Sequence, residues 1–316
     1  MKNFSATPIT TELARSLMPV RPDDSFKGTF GKALVIAGSR KYTGAAGLAI
    51  QAALRSGTGL VFAAIPEVIH APLAASIPEA IWLILPEKDG AITGLVAGEK
   101  AGLVSDEKAG HVSEEKAGLF PTGGKDAVLV GPGLNQTEGT QTFLLGLLGH
   151  LRENAPNLPL VVDAEALNIL SLQPDWHTLL PNRVVLTPHE MEFSRLTGLS
   201  LDEVHSNRHE LAATYAQAWH QVMILKGPNT LVVSPEADCR VLPFANSVLA
   251  HGGSGDVLAG LIVGLLAQGL SPFDAATLAV WLHARAAELA LATVGHPAAT
   301  LPSDILQHLG KAMSSL

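Results

Sequence analysis

The chain has 316 residues, enough for one large α/β domain or two smaller ones. Hydrophobic residues make up 47% and charged residues 16%, which excludes a disordered protein; a formal net charge of −8 excludes a general nucleic-acid binder, since no basic surplus neutralises phosphates. The single cysteine, Cys239, excludes an internal disulfide or a thiolate metal cluster and suits a reducing, cytoplasmic setting.

Residues 1–26 read as an N-terminal extension without the basic start and apolar core of a secretory signal. No membrane span is expected, because the most apolar run, 257–266, is short and bounded by glycines. From residue 27 to 316 the pattern is that of one domain. Near-continuous apolar runs at 33–37, 60–65, 80–85, 127–131, 160–164, 184–187 and 222–226 read as buried strands, the form taken when helices cover both faces of a sheet. A helix over 44–57 closes on Gly57, and 230–244 reads as a hairpin around Pro235 and Asp238. The alternation predicts an α/β protein, a three-layer α/β/α fold with a mainly parallel central sheet. The C-terminal third is helical: one helix carries its apolar face at 257, 258, 261, 262, 265 and 266 and ends at Gly269. Ser271 and Pro272 then supply the N-cap and first position of the next helix. "GEKAGLVSDEKAGHVSEEKAGLF" (98–120) carries three EKAG copies, too short a repeat for a solenoid; it reads as a duplicated surface insert, the alternative being a partner-binding or oligomer-contact element.

Ligands of open parallel sheets bind at the carboxyl ends of the strands. Six of these ends carry glycine-rich or polar turns: Gly38, Ser39, Gly44 and Ala45; Gly131, Pro132, Gly133 and Asn135; Asp163 with Asn168; Thr187, His189, Glu190 and Glu192; Lys226 with Gly227; and "AHGGSGD" before the apolar helix. Each has a plainer reading: a tight turn at Gly131–Gly133, a helix cap at Asp163, a locally bonded imidazole at His189, helix-dipole partners in Glu190 and Glu192, a surface ion pair at Lys226. Their common position is the stronger signal. Gly253, Ser254 and Gly255 open a helix whose N–H groups and dipole suit an anion, which leaves Asp256 as an anomalous carboxylate with a chemical task. There is no P-loop, nucleophile elbow or H-E-x-x-H motif.

Taken in order, "GSRKYTGAA", "ALRSGTGLV", "VGPGLN", "VVDAEALNIL", "LTPHEMEFSRLTG", "LKGPNT" and "GGSGDVLAGLIVGLLAQG" resemble the ADP/ATP-dependent NAD(P)H-hydrate dehydratases. These belong to the ribokinase-like superfamily, near the hydroxyethylthiazole kinases. The resemblance runs from about Lys27 to the C-terminus, apart from the EKAG insert. It implies a ribokinase-like fold and a lyase of nicotinamide-nucleotide repair: with ADP or ATP and Mg2+, the S epimer of hydrated NADH or NADPH is dehydrated through phosphoryl activation of its ring hydroxyl. It implies Asp256 as catalytic base, Ala45, Gly133, His189 and Asp256 as contacts of the hydrated dinucleotide, and Lys226, Gly227, Pro228, Asn229, Thr230 and Gly255 as contacts of the adenine nucleotide. In this chemistry Gly253, Ser254 and Gly255 would stabilise the migrating phosphoryl group. No metal ligand is assigned. Two positions depart from the family pattern: His189 is followed by Glu190-Met191-Glu192 rather than Pro-Gly-Glu, and "FANSVLAH" lacks the usual Gly and Thr. The chain begins too close to the dehydratase motifs to hold the epimerase fused to many relatives, so a separate epimerase is expected, as is a homo-oligomer. The rival functions are a small-molecule kinase of the same superfamily, acting on a hydroxyethylthiazole- or hydroxymethylpyrimidine-like alcohol, and a nucleotide-binding sensor or scaffold without turnover.

Overall fold

The computed structural model describes residues 6–93 and 120–316; the EKAG stretch lies outside them except for Phe120. In chain order, β1 (Thr7–Pro8), α1 (Thr11–Leu17), β2 (Lys32–Ile36), α2 (Thr43–Arg55), β3 (Leu60–Pro66), α3 (His70–Ser76) and β4 (Ile81–Leu85) lead into a small hairpin, β5 (Glu87–Lys88) and β6 (Ala91–Ile92). Then follow β7 (Ala127–Val130), α4 (Glu138–Asn154), β8 (Leu160–Val162), α5 (Glu165–Leu170), β9 (Val184–Leu186), α6 (Glu190–Thr197), α7 (Leu201–Ser206) and α8 (Arg208–Trp219). The remainder comprises β10 (Val222–Leu225), β11 (Leu231–Val233), β12 (Cys239–Val241), α9 (Ser254–Ala267), α10 (Pro272–Val294) and α11 (Pro302–Ser314).

Ten strands form one sheet in the order β1-β12-β11-β10-β9-β8-β7-β2-β3-β4. All neighbours are parallel except at β11, which runs antiparallel to both β10 and β12. Each of the seven strand runs read from the sequence is present, and the hairpin expected over 230–244 is β11–β12. The strands β1, β5 and β6 were not foreseen, because two residues are too few to show an alternation. The segment read as an N-terminal extension contributes β1, paired with β12, and α1, whose Ala14 is fully buried.

The strands are apolar on both sides because they divide their side chains between two cores. Ala33, Val35, Val61, Ala63, Leu129 and Val161 face one core with α2, α9, α10 and α11; Leu34, Ile36, Val128, Val130 and Val162 face the other with α4, α5, α6 and α8. The helix ends follow the sequence signals. Ser271 Oγ accepts the Asp274 N–H at 3.2 Å with Pro272 in the first turn of α10, and Gly57 and Gly269 lie just beyond α2 and α9. The two helices α2 and α9 cross closely through Gly260 and Gly264, which fixes where the two helix starts stand relative to each other.

Candidate active site

Three adjacent parallel strands, β8, β9 and β10, carry Asp163, Thr187 and Lys226 at their carboxyl ends. The Lys226 ammonium donates to Asp163 Oδ1 at 2.9 Å, and the same oxygen accepts from Thr187 Oγ1 at 2.6 Å. A second carboxylate, Glu192 Oε2, lies 3.6 Å from that ammonium. Asp163 and Glu192 are buried, so both are held by charge-assisted contacts in a region with little water. Asp163 does not cap α5: the N-cap is Ala164, which makes no side-chain cap bond and sits at φ 51°, ψ −119°. This is a backbone state that alanine rarely adopts, and such strain gathers at functional sites.

His189 caps α6. Its Nδ1 accepts the Glu192 N–H at 3.1 Å while Glu192 Oε2 accepts the His189 N–H at 2.8 Å, a reciprocal capping box. His189 is thus a locally bonded imidazole, and the cap fixes the ring while leaving it half exposed. Burial, then Lys226 and Arg195, lower the His189 pKa, so the imidazole is neutral. For Glu192 the order is burial, which raises its pKa, against Lys226, which lowers it. Burial works against the Lys226 ammonium, but Asp163 and Glu192 outweigh it and hold its pKa above the ordinary lysine value. The neighbouring Glu190 pairs instead with Arg208 and His205, and Asn168 Oδ1 accepts from Arg195 Nη1 at 2.7 Å.

The start of α9 faces this cluster. Burial, then the like charge of Asp163, pushes Asp256 from 3.8 up to about 7, with Lys226 pulling the other way and Glu192 adding to the rise. The Ser254 N–H, expected among the anion-binding amides, instead donates to the His251 carbonyl at 3.2 Å, whereas among the described residues the amides of Gly253, Gly255 and Asp256 have no hydrogen-bond acceptor. A side chain at Gly255 would stand 3.4 Å from Lys226 Nζ, so lysine and helix start are direct neighbours. The loop after Lys226 is tied locally: Thr230 Oγ1 donates to Gly227 O at 2.9 Å, the Asn229 N–H to Phe244 O at 3.1 Å, and Pro228 O accepts from Arg208.

Ala45 and Gly133 also meet. Gly133 stands at φ +66°, and a Cβ there would come within 2.7 Å of the Tyr42 carbonyl and 2.9 Å of the Ala45 methyl, so only glycine fits. Ser39 Oγ fastens the turn by donating to Gly133 O at 2.8 Å. Leu48, one turn along α2 from Ala45, lies against the Gly253 α-carbon, which sets the Ala45–Gly133 pair beside the start of α9.

Two polar residues at the site were not singled out in the sequence. Arg208 lies at the start of α8, with no motif around it. His283, on α10, is buried, and among the described residues its Nε2 has no hydrogen-bond partner; burial and Lys226 drive its pKa down to about 4 against the opposing Ser254 backbone. Its signal was a lone histidine within the otherwise apolar stretch 278–284. Among the described residues no three His, Cys, Asp or Glu side chains are arranged to hold a metal. The donor set, carboxylates of Asp163, Glu192 and Asp256 around a single ammonium, fits a magnesium ion that arrives on nucleotide phosphates and takes only one or two protein oxygens. Nor, among the described residues, is any helix long and apolar enough to cross a membrane.

The sheet order, the two helical layers and a glycine-rich helix start facing the strand ends define a protein of the ribokinase-like class. The family model described as NAD(P)H-hydrate dehydratase matches residues 33–311, and the chain belongs to that family. It is 34% identical over 309 residues to the ADP-dependent (S)-NAD(P)H-hydrate dehydratase of Bacillus subtilis, covering 96% of this chain and 97% of that one. It is also 34% identical over 315 residues to the bifunctional NAD(P)H-hydrate repair enzyme Nnr of Moorella thermoacetica, covering 100% of this chain and 55% of that one. The chain thus spans about half the length of the bifunctional relatives. A crystal structure of the Bacillus subtilis ADP/ATP-dependent NAD(P)H-hydrate dehydratase, co-crystallised with ATP/Mg2+, superposes with a TM-score of 0.77 at 31% identity over 99% of both chains.

Proposed function

We propose that this chain dehydrates the S epimer of hydrated NADH or NADPH, using ADP or ATP to make the ring hydroxyl a leaving group. The observation that carries the reading is Asp256, a carboxylate pushed to about 7 beside unpaired amides at the start of α9. Hydroxide leaves poorly and phosphate leaves well. Asp256 takes the hydroxyl proton as that oxygen attacks the terminal phosphoryl group, the bond from phosphorus to the bridging oxygen breaks, and AMP departs from ADP or ADP from ATP; a base titrating near neutrality suits this transfer. The amides of Gly253, Gly255 and Asp256 and the Lys226 ammonium face the phosphoryl oxygens and stabilise their charge. The ring nitrogen's lone pair then expels phosphate to leave a carbon–nitrogen double bond, and the neighbouring ring carbon gives up a proton to the departing phosphate or to water, its electron pair forming the ring double bond as the nitrogen regains its lone pair and the dihydronicotinamide is restored. His189, Ala45 and Gly133 hold the dinucleotide, while Lys226, Gly227, Pro228, Asn229, Thr230 and Gly255 hold the adenine nucleotide. Magnesium, bound with the nucleotide, would neutralise phosphate charge, with Asp163 and Glu192 as its carboxylate partners. A cytoplasmic location, a homo-oligomer and an epimerase activity that supplies the S epimer belong to the same proposal. The relatives' fusion to a second repair activity supports the last of these.

The test is to incubate the protein with hydrated NADH, ADP or ATP, and magnesium, following the reduced-nicotinamide absorbance. Recovery that vanishes in Asp256→Asn is expected. No recovery with either nucleotide, together with a stable phosphorylated thiazole or pyrimidine alcohol, would give the site to the kinase reading.

The pH dependence follows from the same cluster. kcat/KM is expected to fall on the acid side near pH 7, where Asp256 becomes protonated. In Asp163→Asn a like charge is gone while Glu192 still faces Lys226, so that acid limb should move to lower pH even though turnover drops. A limb that stays in place, or moves upward, would mean another group is the base.

A further inference from the structure

Arg208 is a large cation at the site that the reaction above leaves without a task. Its guanidinium fork lies under the nucleotide loop. Nη1 donates to the Pro228 carbonyl, and Nη2 to the carbonyls of Leu225 and Lys226, each at 3.3 Å. The fork lies close beneath Gly227, which stands at φ +141°, a backbone state that favours glycine; a Cβ there would come within 2.9 Å of Nη2. On its other side, Nε lies 3.0 Å from Glu190 Oε1 without hydrogen-bond geometry, an ion-pair contact rather than a directed bond. Glu190 is the first residue of α6 and follows the cap His189 directly. One side chain therefore touches the end of β10, the loop beyond it, and the helix that presents the histidine.

We propose that Arg208 is a positioning residue that fixes the adenine-nucleotide loop and, through Glu190, sets it against the histidine helix; this rests on the nucleotide-site reading above. The physical reason is donor geometry. The carbonyls of residues 225, 226 and 228 point to one side of the loop and need several donors in one plane. A guanidinium supplies five in a rigid fork, whereas an ammonium is a point charge on a flexible stem. Holding these carbonyls inward fixes the backbone from which Lys226 reaches Asp163 and α9, and aims the remainder of the loop at the nucleotide.

Two binding modes separate this role from plain structural support. In Arg208→Lys, the KM for ADP and the calorimetric Kd of ADP with magnesium are expected to rise about tenfold or more, with kcat within about threefold of wild type. In Glu190→Gln the larger change should fall on the KM for hydrated NADH, because the contact broken is the one next to His189. Arg208→Gln, whose amide ends where Nε stands and reaches none of the three carbonyls, should weaken ADP binding at least as much as Arg208→Lys and serves if the lysine variant fails to fold. An unchanged ADP affinity in a folded Arg208 variant overturns the proposal, as does a loss of kcat and melting temperature with both KM values intact. Wild-type protein that binds no ADP would overturn the nucleotide-site reading itself, which the calorimetry detects without any turnover.

Discussion

Asp256→Asn is expected to lower turnover by a factor of about 10² to 10⁴ and, in the same protein, to raise stability at pH 8. The first effect follows from removing the proton acceptor while the amide cradle remains. The second follows from the cost of keeping that carboxylate where it is. Its pKa stands at about 7 in the fold against 3.8 for the free side chain, because burial and the charge of Asp163 disfavour its ionised form. Below pH 3.8 both folded and unfolded chains hold the proton and the group is neutral in the balance. As pH rises through the interval from 3.8 to about 7, the unfolded chain ionises first, and the folded state loses stability relative to it. Above pH 7 the penalty is complete, of order 2 to 4 kcal/mol. Asparagine keeps the shape and escapes the penalty, so denaturant unfolding should show a gain at pH 8 that vanishes near pH 3.5. A variant that is inactive and also less stable at pH 8 would mean that Asp256 supports the fold rather than the reaction.

Gly260→Ala should destabilise the protein by about 3 kcal/mol or more, an overpacking cost at the upper end of the usual range. A Cβ at this position would stand 2.2 Å from the Ala49 carbonyl oxygen and 2.7 Å from the Ala52 methyl. The obstructing atoms belong to the backbone and a methyl of α2, which cannot swing aside as a long side chain would, so α9 must move. Moving α9 also displaces Asp256 from the Ala45–Gly133 pair, and an ångström of misplacement costs catalysis as well as stability. Gly149→Ala is the control: on α4 a Cβ there meets nothing within 4 Å, and helix propensity alone predicts a gain of about 0.5–1 kcal/mol. Urea unfolding of the two variants measures the contrast. A loss below about 1 kcal/mol for Gly260→Ala would show a compliant crossing.

Much of the site was legible because its residues follow strands. Asp163, His189 and Lys226 each stand just past an apolar run, and parallel strands place all such positions at one edge of the sheet. Asp256 was legible through the contrast between three glycines, an apolar helix and one carboxylate. Arg208 was not, because an arginine at a helix start is unremarkable until the carbonyls of a distant loop are found on its fork. Nor was His283, whose meaning depends on α10 packing behind the start of α9. The strands β1 and β5–β6 escaped for a different reason: their pairing comes from the partners they meet, not from their own two residues.

The sequence by itself determined the alternation of strand and helix, the helix ends at Gly57, Gly269 and Ser271, and the identity of the loops that carry the chemistry. These depend on periodicity, caps and backbone freedom, which act over a few neighbouring residues. Tertiary structure alone decided the strand order, the ammonium of Lys226 set between Asp163 and Glu192, and the proton affinity of Asp256. Those are through-space quantities, fixed by burial and by charges that approach one another only once the sheet has formed.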